Sequence, residues 1–305
     1  MWFKNLLIYR FTKPFTTTPE ELEQRLAEKP FRPCGSQELA TRGWASPLGQ
    51  DDSPLVHMAN GRLMLCLQRH EKILPAAVVN EAVDARVAEI KAAEDRHVGR
   101  KEKQELKDQT VFELLPRAFA KSKRIFGYID PAAGLMVINS SSATQAEEFT
   151  TTLRETLGSV PVIPLNPLNP IPDSMTHWLK AGEPPEQFTI GGECELRDKS
   201  DASTVIRCKN LDLQVDEIKS HLATSMYVNK LELIWNGGIE CVVDDKLAVK
   251  RLKFDDLITD KLDQENTETA AEQFDVDFVL MAEEFGKFIP ALVNCFGGPE
   301  VLSSE

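Results

Sequence analysis

The residues best placed to do covalent chemistry are Asp244-Asp245, which close an apolar run, and Cys34-Gly35-Ser36-Gln37 in a turn-rich passage. Two neighbouring carboxylates can hold a divalent metal for phosphodiester cleavage, and a thiol becomes a nucleophile when a base lies beside it. Neither pattern is specific: the first also describes a polar turn after a strand, the second a structural turn, and these plainer assignments are preferred. The five histidines (His57, His70, His97, His177, His221) lie far apart and none has a second histidine as partner at helical spacing. No P-loop, dinucleotide fingerprint or H-E-x-x-H is present, so the motif-borne nucleotide and zinc-protease chemistries are not indicated. The six cysteines are scattered, without a C-x-x-C, as expected of buried thiols in a reducing compartment rather than a disulfide framework or zinc cage. No catalytic residue, metal or cofactor is expected.

Charge is the stronger signal. The 305 residues carry a net charge of −13, but residues 255–305 alone hold thirteen acidic and two basic side chains, and residues 96–124 hold nine basic and four acidic ones. A polyanion responds to the local field, within about 10 Å at moderate salt, not to the whole-chain sum. Arg117, Lys121 and Arg124 are spaced to share one helical face, with Phe112, Leu115 and Phe119 on another, and Arg100, Lys103 and Lys107 form a second basic run. A basic face beside an apolar one suits DNA, an anionic membrane or a protein partner, and is also the pattern of an ordinary solvated helix.

The elements that must carry these residues are α+β in class, with mixed or antiparallel sheets and a protruding helical arm. A strand over 2–12 leads to a helix over 18–28, opened by a Thr18–Glu21 capping box with Pro19 in its first turn. Asn60-Gly61 turns a hairpin over 55–68. Val79, Val83, Val87 and Ile90 stripe a helix from Pro75 to about His97; a second helix runs from Arg100 to Lys123, interrupted at Pro116. Strands over 124–130 and 135–139 precede a helix over 143–157 with a Ser142–Gln145 capping box. The proline-rich passage 160–170 suits an extended edge or connector. A short helix over 173–181, strands over 188–196, 203–209, 228–235, 239–244 and 247–254, a helix over 214–223 and an apolar-striped helix over 274–296 complete the chain. The expected lobes are 1–74, the arm 75–124, the completing sheet and helix 125–171, and the C-terminal lobe 172–305. No apolar run spans a bilayer and no signal peptide is evident, so the expected compartment is the cytoplasm.

These residues resemble a known family. Trp2-Phe3-Lys4-Asn5-Leu6 with Tyr9-Arg10, Pro33 to Gln37, Gly43-Trp44, Ala59-Asn60-Gly61, Glu71 to Pro75, Leu114-Leu115-Pro116-Arg117-Ala118-Phe119, Leu157-Gly158-Ser159, Lys250 to Phe254 and Phe274 to Phe278 are similar, in order and spacing, to the RdgC family of recombination-associated proteins. The resemblance implies a horseshoe-shaped protomer that forms a ring dimer around double-stranded DNA (single-stranded DNA being a further ligand to test), binds with little sequence preference, associates with the nucleoid and restrains the recombinase RecA. It implies that Phe119 helps to close the gate between two arms, and that Arg117, Lys121, Lys123 and Arg124 face the bore; Arg100 and Lys103 of the second basic run are expected to bind DNA as well. The chain departs from the family at Asn210-Leu211, where relatives are more basic and polar, and at Met226, where a relative carries lysine. DNA contact by the C-terminal lobe then rests on Arg207, Lys209 and Lys230. The acidic C-terminal residues are expected outside the path of the DNA. A metal-dependent nuclease using Asp244 and Asp245, and a module docking on the recombinase, are the alternatives.

Overall fold

The computed structural model describes residues 2–50, 53–201, 203–255 and 269–301. The fold is α+β, built on a large antiparallel sheet. Its centre is β1 (Asn5–Phe11). One edge of β1 pairs with β6 (Leu135–Ile138); along the other, Asn5 and Leu6 pair with Lys250 and Val249 of β12 (Val249–Phe254), and Tyr9 to Phe11 pair with the short β7 (Val162–Pro164). The N-terminal half continues from β6 through β5 (Ala120–Asp130) and β4 (Arg62–Lys72) to β2 (Ala40–Ala45), with β3 (Val56–Ala59) also on β4. The C-terminal half continues from β12 through β11 (Ile239–Asp244), β10 (Met226–Trp235) and β8 (Phe188–Asp198) to β9 (Val205–Cys208). The expected Asn60-Gly61 turn is present and Asn236-Gly237 makes a second; all four residues have positive φ, the conformation a two-residue hairpin turn demands.

Because side chains alternate across a strand, the N-terminal half has two buried faces. Leu63, Leu65, Leu67, Ile125 and Ile129 pack under α1 (Pro19–Leu26) and α4 (Ala143–Leu157). The alternate residues Met64, Tyr128 and Val137 pack under α7 (Ala270–Cys295). Gly127 lets α4 approach: a β-carbon there would stand 2.9 Å from the Phe149 ring. In the C-terminal half α5 (Ile171–Ala181), α6 (Asp216–Ala223) and α7 cover one face, with Met175, Leu222 and Phe288 meeting Leu231 and Leu233. The other face is polar. α7 ties the halves together, Phe285 lying against Phe3 and Phe254 and Phe288 against Phe188 and Trp235.

The arm is a hairpin of α2 (Ala76–Glu94) and α3 (Arg100–Leu114). Three expectations fail around it. The second helix does not reach Lys123: it stops at Leu114, Leu115–Arg117 form a 3₁₀ turn holding Pro116, and β5 begins at Ala120. Proline ends the helical ladder, and the long β4 offers a new one, pairing Lys72 with Ala120 and Glu71 with Lys121. Arg117, Lys121 and Arg124 therefore share no helical face. Nor do Phe112, Leu115 and Phe119, since Leu115 is buried and both phenylalanines are exposed. Within the expected α2 stripe, Val79 and Val83 are buried but Val87 and Ile90 only half-buried. Elsewhere, the Ser142–Gln145 capping box does not form: Ser142 makes no side-chain cap, and Gln145 accepts from Ser140 instead. The turn-rich passage after Phe31 gives way to β2, and α7 starts earlier than 274, at a Thr269–Glu272 capping box.

Candidate nucleic-acid interface

On the α4 side of the sheet, the far ends of β4 and β5 place Arg69, Glu71, Lys121 and Lys123 around a 270 Å³ cleft closed by Ser142, Thr144, Gln145 and Glu148 at the start of α4. Alternation puts Lys121 and Lys123 on the same face as Ile125, toward α4. Lys121 pairs with Glu71 at 2.7 Å, and this hydrogen bond holds the Glu71 carboxyl below its usual range. Arg69 bridges Glu71 and Glu148 at 2.8 and 3.2 Å. Lys123 has no ion pair among the described residues.

A second cleft, of 360 Å³, opens where the two halves of the sheet meet. Arg207, Lys209, Lys230, Lys250 and Arg251 line it with Glu193 and Glu195, and β1 and the loop before α4 contribute Asn5 and Ser141. Ser141 in this cleft and Ser142 in the other make the two neighbours across one loop. At the centre is Glu195, only 6% exposed, which accepts from Lys230 at 2.8 Å, Arg207 at 3.0 Å, Arg197 at 3.0 Å and Asn229 at 3.1 Å. Burial opposes its charge, but the hydrogen bonds from Lys230, Arg207 and Arg197 outweigh that and bring its carboxyl down to about 2. One carboxylate thus holds three cations in fixed positions. Lys250 reaches Asp244 at 2.8 Å and Arg251 reaches Glu193 at 2.5 Å.

Of the residues expected from sequence, Lys121 and Lys123 share the first cleft and Arg207, Lys209 and Lys230 the second. Arg124 joins neither. It reaches the Ser46 carbonyl, donates to Cys66 Sγ at 3.3 Å and lies over the Phe126 ring at 5.1 Å; these contacts anchor the sheet edge. Arg100 and Lys103 lie along α3, where Lys103 pairs with Asp84 of α2 at 2.7 Å, and Arg117 is exposed on the 3₁₀ turn. Phe119, beside it, is 85% exposed. Sequence reasoning missed Arg69, Lys250 and Arg251 as members of the clefts. The run Lys250-Arg251-Leu252-Lys253, three cations in four residues, was the available signal for the last two.

The residues with covalent potential are engaged in holding the backbone. Asp244 accepts from the backbone of Lys246 and Ala248 at 3.0 and 2.9 Å and so caps the β11–β12 turn. His70 does lie beside Cys34, but its Nδ1 accepts from the Cys34 backbone N–H at 3.0 Å while the thiol donates to the His70 carbonyl; the imidazole does not face the sulfur as a base. Among the described residues no group of three His, Cys, Asp or Glu is placed to hold a metal, and no helix is long and apolar enough to cross a membrane.

The acidic residues divide. Glu272, Asp275, Asp277, Glu283 and Glu284 sit on α7, across the N-terminal half of the sheet from the Lys121–Lys123 cleft. Residues 256–268 and 302–305, which carry much of the expected acidic exterior, lie outside the described residues.

Known proteins match the chain over nearly its whole length. A family model described as "Putative exonuclease, RdgC" matches residues 1–299. A protein of Pseudomonas putida strain GB-1 named "Recombination-associated protein RdgC" is 43% identical over 302 residues, 99% of each chain. Its namesakes in Aeromonas hydrophila, 43% identical over 98% of this chain and 99% of that one, and in Pseudomonas syringae pv. tomato, 44% identical over 99% of each, are similar throughout. Matched over nearly its whole length by the family model and by relatives well above 30% identity, the chain belongs to the RdgC family of recombination-associated proteins.

Proposed function

We propose that this protein binds duplex DNA without sequence preference, as a ring dimer of horseshoe-shaped protomers, and limits RecA-dependent recombination by occupying the DNA at the nucleoid. One observation carries the proposal: cations from opposite ends of the chain converge on neighbouring clefts of one sheet face, while the acidic helix α7 packs on the other side of the N-terminal half. A strongly acidic chain can still grip a polyanion if its positive groups are gathered and its negative ones face elsewhere. Lysines and arginines on phosphates release counterions and give affinity that carries no base information. Lys121, Lys123, Arg207, Lys209 and Lys230 supply these contacts, Arg117, Arg100 and Lys103 extend them along the arm, and Arg124 supports the strand from which Lys121 and Lys123 project. Exposed Phe119, with Phe112 at 60% exposure, supplies the apolar contact between two arms that closes the ring.

The test is a salt titration of binding to unrelated duplexes. The logarithm of affinity should fall linearly and steeply with the logarithm of salt, at a slope of about −0.9 per phosphate contacted and equal for all sequences. A flat response, or slopes that differ between sequences, refutes the proposal. Single-stranded DNA run alongside gives the relative preference. The same exposed phenylalanines also suit direct docking on the recombinase; capture of RecA by the pure protein without DNA would favour that second function.

A further inference from the structure

We infer that a strained β-bulge at Arg251 builds a dedicated seat for one DNA phosphate at the junction of the two half-sheets; the inference rests on the DNA-binding function proposed above. In a regular strand Lys250 and Arg251 would point to opposite faces. Here Glu240 pairs with Lys253 and Val242 with Lys250, so Arg251 and Leu252 together oppose Cys241. The extra residue bends the strand, and both cations turn into one cleft.

The bulge is strained where it need not be. Arg251 has φ +54°, a conformation in which a β-carbon crowds the following carbonyl oxygen and which glycine adopts freely. It is held there by residues at the entry to β1: its own N–H donates to Asn5 Oδ1 at 3.3 Å and the Leu252 N–H to the Lys4 carbonyl at 2.9 Å. An arginine kept in a glycine conformation at the mouth of a cationic cleft marks a side chain retained for what it contacts.

The cleft's chemistry names the ligand. Five cations face three carboxylates: Asp244 pairs with Lys250, Glu193 with Arg251, and the buried Glu195 is shared among Arg197, Arg207 and Lys230. The surplus positive charge, in groups fixed before binding, suits an oxyanion that accepts several charge-assisted hydrogen bonds at once. Asn5 and Ser141 add neutral polar groups at the rim. A phosphodiester of the backbone, which carries the negative charge that these cations answer, fits this set. Glu195 is a positioning residue and does not itself meet the phosphate.

The experiment measures fluorescence anisotropy of a labelled duplex against salt for the full chain, Lys250→Gln, Arg251→Gly, the double variant and Arg154→Gln, a cation at the far end of α4. Either cleft substitution should reduce the log–log slope by up to about one, and the pair by about one in all, the share of a single phosphate, with Arg154→Gln as wild type. Arg251→Gly should melt at or above the wild-type temperature, since it removes the strain along with the charge. Wild-type slopes in both cleft variants, beside a steep wild type, overturn the seat and leave the DNA-binding function standing. An equal change in Arg154→Gln, or a lower melting temperature for Arg251→Gly, overturns the seat as well. A flat wild type removes both.

Discussion

The arm and the sheet differ in what holds them. The sheet has a core on both faces of its N-terminal half and a run of phenylalanines down α7, where Phe278, Phe285 and Phe288 are fully buried. A buried side chain of that size contributes about 2–3 kcal/mol. The arm buries only Val79, Val83, Val98, Thr110 and Leu115, and is otherwise laced by ion pairs: Lys103 with Asp84, Arg86 with Glu113, Arg96 with Glu102. Such exposed pairs are screened by water and salt and add little to stability. At the same time Phe112, Phe119, Val78 and Ile73 stand in solvent at the arm's root. Stability and exposed apolar surface are thus distributed in opposite senses. The sheet can hold cations at fixed spacing by itself, whereas the arm gains most from a partner.

Substitutions should separate the two regions, the largest loss falling in the sheet. Phe285→Ala leaves a hole between Phe3 and Phe254 and should cost about 4 kcal/mol in chemical denaturation. Glu195→Gln comes next, at about 2–3 kcal/mol, because three cations lose their shared counter-charge. Its pH dependence has a definite sign. The folded-state value of about 2 lies below the ordinary 4.5. The stabilisation is therefore complete above the ordinary value and is lost as pH falls toward the folded one. An acid titration of stability should show this limb in the wild type and lose it in Glu195→Gln. In the arm, Val83→Ala should cost only about 1–2 kcal/mol. A loss there equal to that of Phe285→Ala would show that arm and sheet unfold as one unit and erase the contrast.

Legibility in the sequence followed the range of the interactions. Local signals were sound: the Thr18–Glu21 box, both Asn-Gly turns and the start of α3 at Arg100 all appear where short-range chemistry puts them. The failures are places where a distant partner decides. Lys121 and Arg124 have helical spacing after Arg117, but ten residues of β4 compete for that segment as a ladder partner and win. Ser142 is the local exception: Gln145 accepts from Ser140, two residues before the expected cap. The cleft at the sheet junction depends on pairings between residues more than two hundred positions apart, Asn5 with Lys250 among them, and no periodicity encodes a positive φ at an arginine. The basic character of residues 96–124 was visible; that its strand portion would join Arg207 and Lys230 on one face was not.

The smallest expected change in stability is the most telling about the arm. Phe119 is 85% exposed, and its carbonyl accepts from the Ile73 N–H at 2.7 Å, a backbone bond that its side chain does not influence. Phe119→Ser should therefore alter the protomer's stability by less than about 0.5 kcal/mol. A phenylalanine that packs on a second copy would nonetheless leave an association defect: solution mass should shift toward the protomer, and retention on closed-circular DNA at moderate salt should fall. The cationic clefts are untouched, so the slope of log affinity against log salt on short linear duplex should change little. Comparison of circular with linear DNA then separates closure from phosphate contact. A variant that keeps wild-type mass and circular retention would show that the exposed ring does no work between copies, and the arm's apolar surface would need a different occupant.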